Sequence, residues 1–441
     1  MESGPIIFLI VLDTLRHDYG RTHLDKLFQK YGFVRKDAIS TACWTAPSHF
    51  SIFSGDLPSI HGIGKSKVGK NTSYTDIFSS ENIFRYLRAL DFKINFFTAN
   101  PFISKHFGYI DAFFNDYYEV INILARNFFL FSTEELKKIS TLQKEGLLGF
   151  QRFFSLLKSK KIRLLFKLAY KKAIDYMCLL IPYLALEKGV TNAIKTLRDE
   201  ITAQPFSFQF FNLMEAHEPY PRLFLSEIRK KISPFRSGLI SRFNSLERRW
   251  KMGYFLSLSY LRKKLEIFTR LLLKKLKEKD GGKYLIIFTS DHGQMLGEKG
   301  VFGHEWGLFD QLIDVPFWIK ANDIPSFVKR EKRYISLCNI GPFIRSYIDG
   351  EKNPWKYLFS DFCFSECFGT ATRPPESCPE FLSKYGVYKY RVACKTNEGK
   401  VIYNVDDEKV EEKYGKWEEC LKKVKEYLEN PEEFSPGLFP D

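Results

Sequence analysis

Two short runs of β-forming apolar residues, each closed by an acid, restrict what this chain can fold into more than any other feature of it. Pro5 to Leu12 is continuous apolar sequence ending at Asp13, and Tyr284 to Thr289 leads through Ser290 to Asp291-His292-Gly293. Both runs are too short for a typical helix, and the second follows a turn signal at Asp280-Gly281-Gly282, so both read as buried strands. In open α/β sheets ligands bind beyond the carboxyl ends of the strands, where the departing loops form a crevice. If the two strands are neighbours in a parallel sheet, Asp13, Asp291 and His292 meet there. Carboxylate and imidazole suit a metal ion, and Gly293 would let the backbone turn closely around it. Taken alone, the same residues also read as a loop pair without chemistry, with Asp13 closing an Asx-turn.

The chain has 441 residues, 44% hydrophobic and 27% charged, enough for one large core and a smaller domain. No basic region precedes the first apolar run, so it reads as a strand and not as a signal peptide, and a cytoplasmic protein is expected. The eight cysteines (Cys43, Cys178, Cys338, Cys363, Cys367, Cys378, Cys394 and Cys420) then read as reduced thiols, with spacings that fit no zinc template. The net charge is +15, and between Arg152 and Lys172 there are eight Lys or Arg and no acid on a helix-like pattern. That stretch reads as the solvated face of a surface helix or as a peripheral contact with an anionic membrane. No nucleic-acid-binding module accompanies the charge, so no nucleic-acid partner is expected.

A third stretch carries a candidate nucleophile. In Thr41-Ala42-Cys43-Trp44-Thr45-Ala46-Pro47-Ser48-His49, Pro47 suits a first helical position, which puts Thr45 at a helix N-terminus where backbone N–H groups attract an anion. A hydroxyl there beside a divalent ion can be activated, because ion and helix end both favour its alkoxide. Without the ion it is an ordinary capping threonine.

The segments Leu9 to Arg16, Trp44 to Gly62, Asn212 to Tyr220 and Phe288 to Pro316 resemble, in order, the sulfatase family of the alkaline-phosphatase superfamily. Phe97 to Pro101 and Phe107 to Phe113 resemble that family's next strand and the loop after it. The resemblance implies an α/β fold, a mostly parallel sheet flanked by helices. It implies a catalytic domain over 1–348 with a basic helical insertion over 118–201, and a small C-terminal α+β subdomain over 349–441, antiparallel strands plus a helix. Within that tail Val387 to Ala393 and Lys400 to Val405 read as a hairpin, and Val410 to Leu428 as a charged amphipathic helix. Helices are also expected over Thr133 to Leu142, Thr191 to Ile201 and Glu247 to Lys279.

Carried over residue by residue, the resemblance makes Asp13, Thr45, Asp291 and His292 the ligands of a divalent metal ion (Zn, Mn, Ca or Mg), with Thr45 also the nucleophile. His217, in His217-Glu218-Pro219-Tyr220, and His304 would neutralise the ester's oxygens or protonate the leaving group, and Asn100 and His49 are further substrate-side candidates. Two-metal members place an Asp four residues before the first of these histidines; Leu213 stands there, so one ion is expected. Two departures bear on the substrate. Sulfatases convert a Cys or Ser to an aldehyde, which threonine cannot supply, and the arginine of their signature is replaced by His49. A metal-dependent hydrolase or transferase of phosphoric esters is therefore expected. The alternatives are a sulfuric-ester hydrolase without the aldehyde, a membrane-surface phosphotransferase on lipid or lipid-linked sugar, and a non-catalytic binding protein on the same fold.

Overall fold

The computed structural model describes residues 4–65, 81–105, 114–120, 166–170, 185–221, 246–278, 282–322, 324–369 and 386–438. In chain order its strands are β1 (Ile6–Leu12), β2 (Val34–Ile39), β3 (Lys93–Thr98), β4 (Asp116–Glu119), β5 (Ser207–Leu213), β6 (Tyr284–Thr289), β7 (Met295–Leu296), β8 (Phe302–Gly303), β9 (Asp314–Ala321), β10 (Ile335–Ser336), β11 (Cys363–Cys367), β12 (Arg391–Lys395), β13 (Gly399–Asn404) and β14 (Lys409–Gly415). Eight of them form one sheet in the order β10-β2-β9-β6-β1-β5-β3-β4. All its pairings are parallel except those that β9 makes with β2 and β6.

The two apolar runs are β1 and β6, and they are neighbours: Ile6 pairs with Tyr284 and Val11 with Thr289. Every residue of β1 is buried, because the sheet is covered on both sides. Ile7, Leu9 and Val11 enter one core layer, and Ile6, Phe8, Ile10 and Leu12 the other. The second layer is closed by the 32-residue helix Leu246–Lys277, whose Tyr254, Leu258, Leu261, Leu265, Phe268, Leu272 and Leu276 recur every three or four residues and so lie on one face. Against the first layer pack Phe50 and Phe53 of helix Thr45–Ser54, Phe84 and Leu87 of helix Ile83–Ala89, and Ile340, Phe343 and Ile344 of helix Ile340–Ile348.

A second, antiparallel sheet, β11-β12-β13-β14, carries the helix Trp417–Glu429, which buries Cys420, Val424 and Tyr427 against it. The helix expected over Val410 to Leu428 is thus two elements. Residues 409–415 pair with β13 as an exposed, charged edge strand, and Gly415, at φ +59°, turns the chain before Trp417. Charged side chains at alternate positions satisfy a helix face and a sheet edge equally well, so pairing with β13 decides between them. The hairpin is present, with its first strand a few residues later than expected. The two sheets meet through ion pairs: Lys395 Nζ lies 2.9 Å from Asp310 Oδ1 and 2.6 Å from Asp314 Oδ1, and Lys400 Nζ lies 2.8 Å from Asp310 Oδ1.

The helix expected over 247–279 is Leu246–Lys277, and that over 191–201 is Val190–Asp199. The stretches 133–142 and 152–172 lie outside the described residues, apart from a helical piece over 166–170. Among the described residues no helix is long and apolar enough to cross a membrane. The six described cysteines are all buried and none is in a disulfide.

Candidate active site

β1, β5, β6 and β3 lie near the middle of the sheet, and their carboxyl ends bring together Asp13, Asn212, the Asp291-His292 pair and Asn100. Asp13, Asn212, Asp291 and His292 are fully buried. Thr45 begins its helix, two residues earlier than Pro47 suggests, so Pro47 occupies the third position, whose N–H is among those a helix leaves unpaired. The helix has no side-chain cap and no acid in its first turn. Ser48 Oγ donates to the Asp291 carbonyl at 2.6 Å, and Ser40, at the end of β2, donates to the same oxygen, tying the helix to the end of β6.

Each of the two carboxylates is held by one oxygen only. Asp13 Oδ2 accepts from Asn100 Nδ2 at 2.6 Å and from Asn212 Nδ2 at 3.2 Å, while Asp13 Oδ1 is buried without a hydrogen-bond partner. Asp291 Oδ1 accepts from the backbone N–H groups of Thr14 (3.1 Å) and His292 (2.9 Å), while Asp291 Oδ2 has no hydrogen-bond partner. His292 donates from Nδ1 to the Gly293 carbonyl at 2.9 Å, which leaves Nε2 with its lone pair. Nε2 stands 3.3 Å from Thr45 Oγ1 and 3.4 Å from Asp291 Oδ2. One ligand atom from each of Asp13, Asp291 and His292 can be chosen so that all lie within 4.8 Å of one another.

This donor set fits a divalent cation. Ligand atoms about 2.0–2.2 Å from a tetrahedral ion stand about 3.3–3.6 Å apart, the spacing of His292 Nε2 from Thr45 Oγ1 and from Asp291 Oδ2. Two buried carboxylate oxygens without donors cost several kcal/mol unless a positive charge meets them. Their mutual repulsion is visible in Asp13, whose pKa is raised by burial and by the charge of Asp291. Backbone strain flanks the cluster: Thr14 at φ +59° and Glu305 at φ +85° hold left-handed conformations that few non-glycine residues adopt.

Asn100 and His49, expected on the substrate side, both hydrogen-bond to Thr45. Asn100 Nδ2 bridges Asp13 and Thr45 Oγ1 (3.3 Å), and its Oδ1 accepts from Phe102 N–H. His49 is fully buried; Nδ1 donates to the Thr45 carbonyl at 3.0 Å and Nε2 lies 3.4 Å from Asn212 Nδ2, so both ring nitrogens have protein partners. Burial drives its pKa down to about 4, which keeps it neutral. Gly293 serves a different end from the expected one. A Cβ there would come 2.0 Å from the Gln311 carbonyl oxygen, and Gly293 N–H donates to the Leu312 carbonyl at 2.7 Å. The glycine admits the backbone that leads into β9.

His217 and His304 sit side by side at the rim, with ring centroids 5.0 Å apart, and His304 lies against His292 at 4.7 Å. Burial opposes charge on His217, but the carboxylates of Glu218 and Asp13 prevail and raise its pKa; burial holds His304 well below the usual value. Two participants had no role assigned from the sequence. Asn212 opens one of the segments that carry the resemblance, with nothing there to mark its side chain. Lys188 falls in the stretch expected to be an insertion; it is buried and donates from Nζ to the carbonyls of Glu215 and His217. Glu215 in turn accepts from the N–H groups of Lys188 (2.9 Å) and Val190 (2.8 Å), pinning the start of helix Val190–Asp199 to the His217 turn.

No protein-family model matches the chain, and no curated protein sequence matches it. Solved structures do share its fold. A 2-O GAG sulfatase superposes with a TM-score of 0.56 at 14% identity, over 98% of this chain and 92% of that one. A Bacteroides thetaiotaomicron sulfatase of glycosaminoglycan metabolism gives 0.52 at 12% identity, over 93% and 89%. A phosphonate monoester hydrolase of Agrobacterium radiobacter gives 0.50 at 15% identity, over 93% and 89%. The chain therefore shares the fold of these enzymes, a mostly parallel sheet with flanking helices and a C-terminal antiparallel sheet.

Proposed function

We propose that this protein is a divalent-cation-dependent hydrolase or transferase of phosphoric esters with Thr45 as its nucleophile. The observation that supports this most is the pair of half-satisfied carboxylates: Asp13 Oδ1 and Asp291 Oδ2 lack donors beside His292 Nε2 and Thr45 Oγ1. Asp13, Thr45, Asp291 and His292 would hold one cation. A bound divalent ion of this kind lowers the pKa of a hydroxyl that it contacts and offsets the charge of the ester.

The chain's own groups supply the rest. Asn100 and His292 fix Thr45 Oγ1 between them, and the end of its helix favours negative charge in front of it. Thr45 Oγ1 releases its proton to water and attacks phosphorus, the bond to the leaving alcohol breaks, and that alcohol takes a proton from His217, the rim histidine with carboxylates beside it. Water or a second alcohol then takes the phosphoryl group from threonine. That water or alcohol gives its proton to His304, which is kept neutral. We take residues 1–348 as the catalytic domain, 118–201 as its insertion and 349–441 as the C-terminal subdomain.

Sulfate esters are the second reading, favoured by the fold shared with two sulfatases and opposed by the threonine. The test is turnover of aryl phosphate, phosphodiester, phosphonate and sulfate by the purified protein with Zn, Mn, Mg or Ca. Thr45→Ala should lower the rate on the preferred ester by about a thousandfold or more. Full activity in Thr45→Ala would refute the nucleophile. A tightly bound cation with no turnover of any ester would make the protein a binder.

A further inference from the structure

Glu218 follows His217 in the chain, and its charge raises the pKa of that ring. Its carboxylate lies between the two rim histidines, with Oε2 3.6 Å from His217 Nδ1 and Oε1 3.8 Å from His304 Nδ1. Gln294 Nε2 donates to Glu218 Oε2. A carboxylate only accepts, so Gln294 must turn its amino group toward Glu218 and its Oε1 the other way. That oxygen meets His304 Nδ1 at 2.8 Å and can only accept, so His304 carries its proton on Nδ1. His217 reaches the same state by a shorter route: its Nδ1 lies 2.6 Å from the Glu218 carbonyl oxygen, also an acceptor. In both rings Nδ1 is committed to the protein, and Nε2 is the nitrogen left for an incoming group.

We propose that Glu218, partly through Gln294, is a positioning residue that fixes both rim histidines with Nδ1 protonated and Nε2 available to the ester. The proposal rests on the reading that these histidines meet the ester. The cluster His217, Glu218 and His304 also has the spacing of a cation site. Its nitrogens nearest Glu218, however, are the Nδ1 atoms already engaged by carbonyl oxygens, which suits hydrogen-bonded orientation better than ligation. The low pKa of Glu218 agrees: burial would raise it, but His217, His304 and the Gln294 amide hold it at about 2, so the carboxylate stays charged.

The experiment has two arms. In the first, two-bond 15N–1H spectra of 15N-histidine-labelled protein, assigned with His217→Asn and His304→Asn, report which ring nitrogen carries the proton, whether or not any ester is turned over. The wild type should show Nδ1–H for both residues, and Glu218→Gln should remove that uniformity. Glu218→Gln with Gln294→Glu should restore His304, because the amide and the carboxylate have exchanged places. In the second arm, with bis(p-nitrophenyl) phosphate, Glu218→Gln should lower kcat by about ten- to a hundredfold with KM changed much less, and the double variant should recover part of the loss. A ring protonated on Nε2 and not on Nδ1 in the wild type, or unchanged spectra in Glu218→Gln, overturns the proposal. Loss of one bound metal equivalent in Glu218→Gln overturns it in favour of a ligand role. Absence of turnover by the wild type would instead count against the catalytic reading and leave the spectra to decide this one.

Discussion

Single residues at the site do opposite things with the same burial. Asp13 and Asp291 keep one oxygen bare, whereas His49 and Asn100 spend every polar atom on neighbours. Sequence alone put all four near the site but could not separate half-satisfied groups from satisfied ones, because the difference lies in which partners the sheet brings from other strands. Gly293 makes the same point. Its place after Asp291-His292 suggested contact with an ion, while the crowding comes from Gln311, a residue whose nearness only the β9 connection creates. Gly293→Ala should therefore cost about 2–3 kcal/mol of stability, since a Cβ cannot be placed without moving backbone. Urea unfolding would measure it, and a loss below about 0.5 kcal/mol would contradict the close approach.

Elements were legible in proportion to how far their own residues fix them. β1 and β6 are apolar throughout and were read directly, and the helix Leu246–Lys277 was read from its stripe. β14 was not, because its charged alternation becomes a strand only beside β13. The short turn Pro58–His61 supports the Thr45–Ser54 helix in a way that depends on pH. His61 stacks edge-on against Phe50 at 5.1 Å, its Nδ1 accepts from Ile63 N–H, and its Nε2 meets Ser51 Oγ at 3.1 Å. Burial pushes its pKa down to about 3, against an unfolded value near 6.5. Below pH 6.5 the unfolded chain takes up a proton that the folded one refuses, so stability falls as the solution is acidified toward pH 3. Between pH 7 and pH 5 this group should account for roughly 1–2 kcal/mol. In His61→Gln that part of the pH dependence should vanish in paired urea titrations, and an unaltered slope would rule it out.

For the whole molecule, the ion pairs of Lys395 and Lys400 with Asp310 and Asp314 join the C-terminal sheet to the segment that enters β9. Lys395 is almost fully buried, and although burial disfavours its charge, Asp314 and Asp310 raise its pKa. Removing one partner from such a cluster leaves a charge without compensation. Lys395→Met should cost about 3 kcal/mol, and Lys395→Met with Asp314→Leu should recover much of it. Equal losses in both would mean that packing, not charge, joins the sheets. The order of strands has a consequence for how the protein comes into being. β6 sits between β1 and β9 near the centre of the sheet, yet it follows β1 to β5 in the chain. While synthesis is under way, β1 has one bare flank, and two of the four groups proposed to hold the cation have yet to leave the ribosome. The nascent chain must keep that flank from pairing wrongly until residues 284–292 arrive, and the proposed cation would be loaded only after them.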